Sequence, residues 1–148
     1  MSEINFLVDF GIDNPVYETA KQIRENVFIQ EQNIAPEIEL DDFDQSSFHI
    51  IGFDNDQKTI CCARFLQINQ QWQIGRVAVL QQFRNKGYAA QMLNYIETYL
   101  KEVFKIKFIH IHAQKPVQKF YEKLGYIAFG ETDIDAGIEH IWMKKEIE

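Results

Sequence analysis

The residues with the clearest chemical use lie in Val77-Ala78-Val79-Leu80-Gln81-Gln82-Phe83-Arg84-Asn85-Lys86-Gly87-Tyr88-Ala89. An apolar, strand-like run breaks into a short polar loop, and a helical pattern starts at once. A helix N-terminus leaves several backbone N–H groups unpaired and carries partial positive charge, so an anion docks on it. Arg84 and Lys86 add formal charge, and Gly87 lacks the Cβ that would hold a pyrophosphate away from the backbone. The sequence contains neither Gly-Lys-Ser/Thr after this loop nor Gly-x-Gly-x-x-Gly, which sets aside the common nucleoside triphosphate and dinucleotide loops. Read alone, Arg84 and Lys86 are surface cations; their place between a strand and a helix start favours phosphate.

A second group of residues can move protons. Histidine ordinarily titrates near neutral pH, and His49, His112 and His140 are candidate bases, together with Glu39, Asp41 and Asp42 acting directly or through water. Strand alternation places His110 and His112 on one face, opposite Ile109 and Ile111. Tyr121 is a candidate acid, although Val117, Tyr121 and Leu124 share one helix face and periodicity alone makes it a core residue. The carboxylates of Glu39 to Asp44 either bind a cationic amine or form a solvated charge run, and Arg24 is expected to pair with Asp42 or Asp44. Cys61 and Cys62 are adjacent in a strand-like run and point to opposite faces, so they read as reduced, partly buried thiols. No metal-ligand spacing stands out along the chain.

The elements that must position these residues follow from periodicity. Ile4 to Phe10 reads as a strand, and Asn14-Pro15 opens a helix carrying Val16, Ala20, Ile23 and Val27 to about Ile29. Gln30 to Gln45 is an irregular or short-helix connection. Phe48 to Phe53 and Thr59 to Ile68 form a hairpin, and Trp72 to Leu80 is the next strand. The helix after the loop shows the stripe Ala89, Leu93, Ile96, Leu100 and Val103. Phe108 to Ala113 is a strand, Pro116 opens a helix that Gly125 ends, and strands Tyr126 to Phe129 and Ile138 to Met143 flank a polar loop from Gly130 to Gly137. The order is β-α-(loop)-β-β-β-α-β-α-β-β, an α+β domain around one central sheet.

A chain of 148 residues fits one domain, 1–148, with an ordinary soluble balance of 46% hydrophobic and 25% charged residues. A net charge of −7 argues against nucleic acid as partner and leaves room for a cationic substrate. No run approaches the roughly 20 apolar residues of a membrane span. Met1-Ser2-Glu3-Ile4-Asn5 lacks signal-peptide character, so no membrane association and a cytoplasmic location are expected.

After its Val-rich strand, Arg84-x-x-Gly87-x-Ala89 resembles the acyl-coenzyme A loop of the GNAT superfamily of N-acetyltransferases. Gln114-Lys115-Pro116-Val117-Gln118-Lys119-Phe120-Tyr121-Glu122-Lys123-Leu124-Gly125-Tyr126 resembles a second family pattern, Asn-x-x-Ala-x-x-aromatic/Leu-Tyr-x-x-x-Gly-Phe. Gln114 replaces Asn, Val117 replaces Ala and Tyr126 replaces Phe. With a helix and a strand between the two motifs, the resemblance covers nearly the whole chain. Arg24-x-x-Val27-Phe28-x-x-Glu31-Gln32, Glu39-x-Asp41-Asp42-x-Asp44 with His49, Ala113-Gln114 and His140-Ile141-Trp142-Met143 resemble the ElaA-like branch.

The resemblance implies the GNAT acyl-CoA acyltransferase fold, a mixed central sheet of about six or seven strands flanked by about four helices. It implies a strand that splays at Arg76 to Val79 to pair with the pantetheine arm. Acetyl-coenzyme A would then rest on Val77, Ala78, Val79, Phe83, Arg84, Asn85, Lys86, Gly87, Tyr88, Ala89, Gln114 and Tyr121. A backbone N–H near Val77 to Val79 would hold the thioester oxygen, Tyr121 would protonate the leaving sulfur, and His140 ranks first as base because it belongs to the family-like terminal motif. The implied reaction is direct acetyl transfer to a primary amine of a small molecule or peptide, with no metal; homodimers are common in the family. A non-catalytic acyl-coenzyme A binding or sensor domain of the same fold is the alternative, and a plain interaction protein a third.

Overall fold

The computed structural model describes residues 3–147; Met1 and Ser2, the start of the N-terminal stretch read above, and Glu148 lie outside the described residues. Its strands are β1 (Asn5–Phe10), β2 (Phe48–Phe53), β3 (Thr59–Ile68), β4 (Gln71–Val79), β5 (Phe108–Gln114), β6 (Ile127–Asp135) and β7 (Ile138–Glu146). They form one mixed sheet in the order β1-β2-β3-β4-β5-β7-β6, and β4 with β5 is its parallel pair. From Ile60 to Leu66 every residue of β3 is buried, so this central strand is covered on both faces.

Helices supply the two covers. Asn14 caps α1 (Pro15–Arg24) by accepting the Tyr17 N–H at 2.8 Å, with Pro15 in the first turn where its missing N–H costs nothing. Val16, Ala20 and Ile23 of α1 cluster with Ile51, Cys62 and Ala78 on one face. The other face is packed by α3 (Tyr88–Phe104) through Tyr88, Met92, Leu93, Ile96 and Leu100. The expected stripe on this helix is therefore rotated: Met92 is fully buried and Val103 is exposed. Both cysteines are free and buried, one in each core.

The connection after α1 continues as a π-helical segment (Glu25–Glu31), then a short helix α2 (Pro36–Glu39) and a 3-10 turn (Asp42–Ser46). A 3-10 turn (Lys115–Val117) leads into α4 (Gln118–Lys123), and Gly125 follows it at φ +96°, a left-handed position that favours glycine. The polar loop expected from Gly130 to Gly137 is instead the second half of β6. Its side chains are polar because β6 is an edge strand facing water, so the apolar alternation that marks a strand is missing. A register shift between Phe129 and Asp133 bends it, and Ala136-Gly137, both at positive φ, close the hairpin to β7 as a two-residue turn. Among the described residues no helix is long and apolar enough to cross a membrane.

Candidate active site

The sheet opens at its parallel pair. β4 and β5 are in register at Trp72↔Ile109, Gln73↔His110 and Ile74↔Ile111, and the pairing stops there. Beyond Ile74, β4 still follows β3 as far as Cys61↔Val79, while β5 follows β7 as far as Gln114↔His140. The local cause is a bulge: the β3–β4 register shifts between Cys62 and Arg64, and Arg76 takes a left-handed φ of +53°. The Arg76 guanidinium holds the bend by donating to the Glu39 carbonyl at 2.9 Å and pairing with Asp41 at 3.2 Å. The result is an edge of unpaired backbone on β4, from Gly75 to Val79, beside a cavity of about 910 Å³.

At one end of this cavity lies the loop read as an anion site. Asn85 (φ +63°) and Gly87 (φ +82°) are both left-handed, and no described side chain caps the N-terminus of α3. Its first-turn N–H groups therefore remain available to an anion. A Cβ built on Gly87 meets nothing within 4 Å, so the backbone there is open to close approach. Arg84 braces the loop: Nε donates to the Val79 carbonyl at 2.8 Å and Nη2 pairs with Glu31 at 2.9 Å. Val77, Ala78, Val79, Phe83, Arg84, Asn85, Gly87, Tyr88 and Ala89 all line the cavity; Lys86 is exposed outside its wall.

The opposite wall holds Tyr121, Gln114, His112 and His140. Tyr121 of α4 is 6% exposed, and burial pushes its hydroxyl well above the ordinary tyrosine range, so it stays protonated. Gln114 donates its amide to Gln32 Oε1 at 3.0 Å, tying β5 to the end of the π-helical segment. His140 is 8% exposed, and its Nδ1 donates to the Ile138 carbonyl at 2.7 Å, which leaves Nε2 with the lone pair. Trp142 stacks on His112 with ring centroids 4.6 Å apart. The sequence reading missed Asp135, because it read that part of β6 as loop; Asp135 and Trp142 both line the cavity.

The other acid–base candidates except the exposed Asp42 are engaged in ion pairs or hydrogen bonds, although Glu39 and Asp41 also border the cavity. Glu39 and Asp44 are buried and bind Arg24 at 2.7 and 2.8 Å; Arg64 bridges Asp41 at 2.6 Å and Asp44 at 2.9 Å. The expected partner of Arg24 is thus Asp44, joined by Glu39, while Asp42 is exposed. His49 is fully buried and donates Nε2–H to the Asp44 carbonyl at 2.9 Å. Burial lowers its pKa, and it takes no part in the cavity wall. Burial raises the Asp44 carboxyl, but the hydrogen bonds and charges of Arg24 and Arg64 outweigh it and hold it below the usual range. These carboxylates build the scaffold under β4 rather than offering a free base, because each answers a buried guanidinium.

The GNAT acetyltransferase domain family matches residues 16–147. The chain belongs to that family. The uncharacterized N-acetyltransferase YjcF of Bacillus subtilis is 31% identical over 125 residues, covering 84% of this chain and 88% of its own. ElaA of Escherichia coli is 31% identical over 130 residues, covering 85% and 84%. The ElaA crystal structure superposes with a TM-score of 0.84 over 96% of this chain and 99% of its own, which places this GNAT protein in the ElaA-like branch. An aminoglycoside 6'-N-acetyltransferase solved with coenzyme A shares the fold, with a TM-score of 0.72 at 16% identity over 96% and 97% of the two chains. As a GNAT acyltransferase, the protein carries the opened parallel pair and the loop before α3 within the region its family spans.

Proposed function

We propose that this chain, as one domain over 1–148, is an acetyl-coenzyme A dependent N-acetyltransferase that moves an acetyl group directly to a primary amine of a small molecule or peptide. The observation that carries this reading is the single cavity that joins the uncapped start of α3, the unpaired edge of β4 and the Tyr121–His140 wall. In it, the α3 N-terminus with Asn85 and Gly87 binds the pyrophosphate, and the β4 edge from Gly75 to Val79 pairs with the pantetheine amides. The cosubstrate supplies an activated thioester. A backbone N–H of Val77 to Val79 stabilises the oxyanion. His140 Nε2 takes the proton that the amine loses as its N–C bond forms, and Tyr121 returns a proton to the departing thiolate. A structure that shares this fold and holds coenzyme A supports the cosubstrate assignment. No carrier nucleophile is invoked, since Cys61 and Cys62 are buried and burial raises both thiols, to about 12 for Cys61.

Calorimetric titration with acetyl-coenzyme A, followed by thiol release across a panel of amines, tests the reading. Saturable binding that needs the pyrophosphate half, with amine-dependent thiol release, is expected. Binding without turnover would make the chain a non-catalytic acyl-coenzyme A module, and no binding would overturn both.

A further inference from the structure

Three adjacent strands bring together a group of side chains that the acetyl-transfer scheme uses only in part. His112 of β5, His140 of β7 and Asp135 of β6 each offer a ligand atom, and these atoms lie within 4.8 Å of one another. His112 Nδ1 is 3.6 Å from Asp135 Oδ2, while His112 Nε2 is 2.9 Å from Asp133 Oδ1. In His140, Nδ1 is held by the Ile138 carbonyl. Each ring therefore has one nitrogen fixed by an outer acceptor, a carboxylate in one case and a backbone carbonyl in the other. That is the support a metal-bound histidine receives, since it sets the tautomer and aims the other nitrogen's lone pair.

From this arrangement we propose that His112 Nδ1, His140 Nε2 and an Asp135 carboxylate oxygen form a site for a divalent transition cation of the zinc class. When the neutral ring gives its Nε2–H to Asp133, Nδ1 holds a lone pair 3.6 Å from the Asp135 carboxylate, a pair of donor atoms that a cation can bridge in place of a proton. Ligand atoms on a tetrahedral zinc stand about 3.4 Å apart, as follows from bonds of about 2.0–2.1 Å. The His112–Asp135 separation is already close to that. The other separations, up to 4.8 Å, shorten on binding by a swing of Asp135, whose side chain is 56% exposed beside the Ala136-Gly137 turn, and by small tilts of the two rings. Trp142 stacked on His112 and the burial of His140 keep the two rings in place. Two neutral imidazoles and one carboxylate suit zinc, and the remaining coordination position faces the cavity that all three residues line. A bound cation occupies the His140 lone pair, so it inhibits acetyl transfer; that consequence rests on the proposed function, while the binding itself does not.

The test is calorimetric titration of the chelator-treated full chain with Zn²⁺ alone, and with Co²⁺ for its visible absorption band. One ion per chain is expected, with affinity weakened in His112→Asn and in Asp135→Asn by at least the roughly tenfold that even an outer-shell partner of a ligand is worth. His110→Asn, two residues before His112 on β5 and outside the group, should bind like the parent. Asp135 is exposed, so Asp135→Asn keeps the test decisive even where His112→Asn fails to fold. Absence of saturable binding, or equal binding in the parent, His112→Asn and Asp135→Asn, overturns the site. Zinc that binds as described but leaves amine acetylation unchanged overturns the inhibitory role and His140 as base. Failure to bind acetyl-coenzyme A overturns the proposed function and leaves the cation result standing.

Discussion

Arg76 Nη2 donates to the backbone carbonyl of Glu39 at 2.9 Å, and its Nε lies 3.0 Å from the carboxylate of the same residue. One side chain thus ties the bulge of β4 to the C-terminal end of α2, and the bulge is what turns β4 away from β5. A charged scaffold beneath the sheet and the opening in the sheet are mechanically one feature.

Arg76→Ala should lower stability by about 1.5–3 kcal/mol, the range for losing hydrogen bonds to charged groups. It should also weaken acetyl-coenzyme A binding, since β4 is freed to relax toward β5. Urea denaturation and calorimetry read the two effects. A variant with reduced stability and parental coenzyme affinity would separate the scaffold from the opening.

The carboxyls of Asp41 and Asp44 are pushed up by burial but held lower by their arginines, with a net shift below the usual range. Groups with depressed folded values stabilise the protein fully above the unfolded value, about 4, and lose that contribution as pH falls through the folded values. Urea unfolding at stepped pH should therefore show stability falling below about pH 4. Asp44→Asn should be less stable at neutral pH and show a flatter acid limb. An acid limb as steep as the parent's would mean that other groups set it.

Gly87 sits at φ +82° with open space where a Cβ would stand. A Cβ in this region costs roughly 1–2 kcal/mol from the backbone alone. Gly87→Ala should lose stability within that range, and Gly87→Val should in addition weaken acetyl-coenzyme A binding by crowding the approach to the α3 N-terminus. Parental affinity in the valine variant would sink the phosphate-loop reading.

Tyr121→Phe keeps the buried ring and removes the proton. Turnover should fall by about 10²–10⁴, the usual contribution of a general acid, with the KM for acetyl-coenzyme A little changed. Steady-state kinetics at saturating amine decide it; an unaltered kcat removes Tyr121 from the mechanism.

Local and periodic information was enough for much of this molecule. The element order, the loop between β4 and α3, the Pro116–Gly125 helical region and an ion pair between Arg24 and the acidic run all follow from spacing, caps and charge, whereas the choice of Asp44 over Asp42 and the addition of Glu39 came from the fold. Such features are written within a few turns of chain or in a strong charge contrast. The second half of β6 was not legible, because an edge strand in water needs no apolar alternation.

What the linear order could not decide is which distant residues meet. His140 ranks first as base only through its family-like motif; the fold then buries His49 against the Asp44 carbonyl and ties Glu39 and Asp41 to arginines, leaving His140 on the cavity wall with no such partner for Nε2 among the described residues. Likewise, no metal-ligand spacing was visible, because His112, Asp135 and His140 are brought together by pairing across three strands rather than by a short interval in one. By itself the sequence determined the family, the order of elements and the chemistry on offer. The tertiary structure decided which of the candidate residues share one cavity, because burial and strand register determine which polar groups are paired and which are left unpaired.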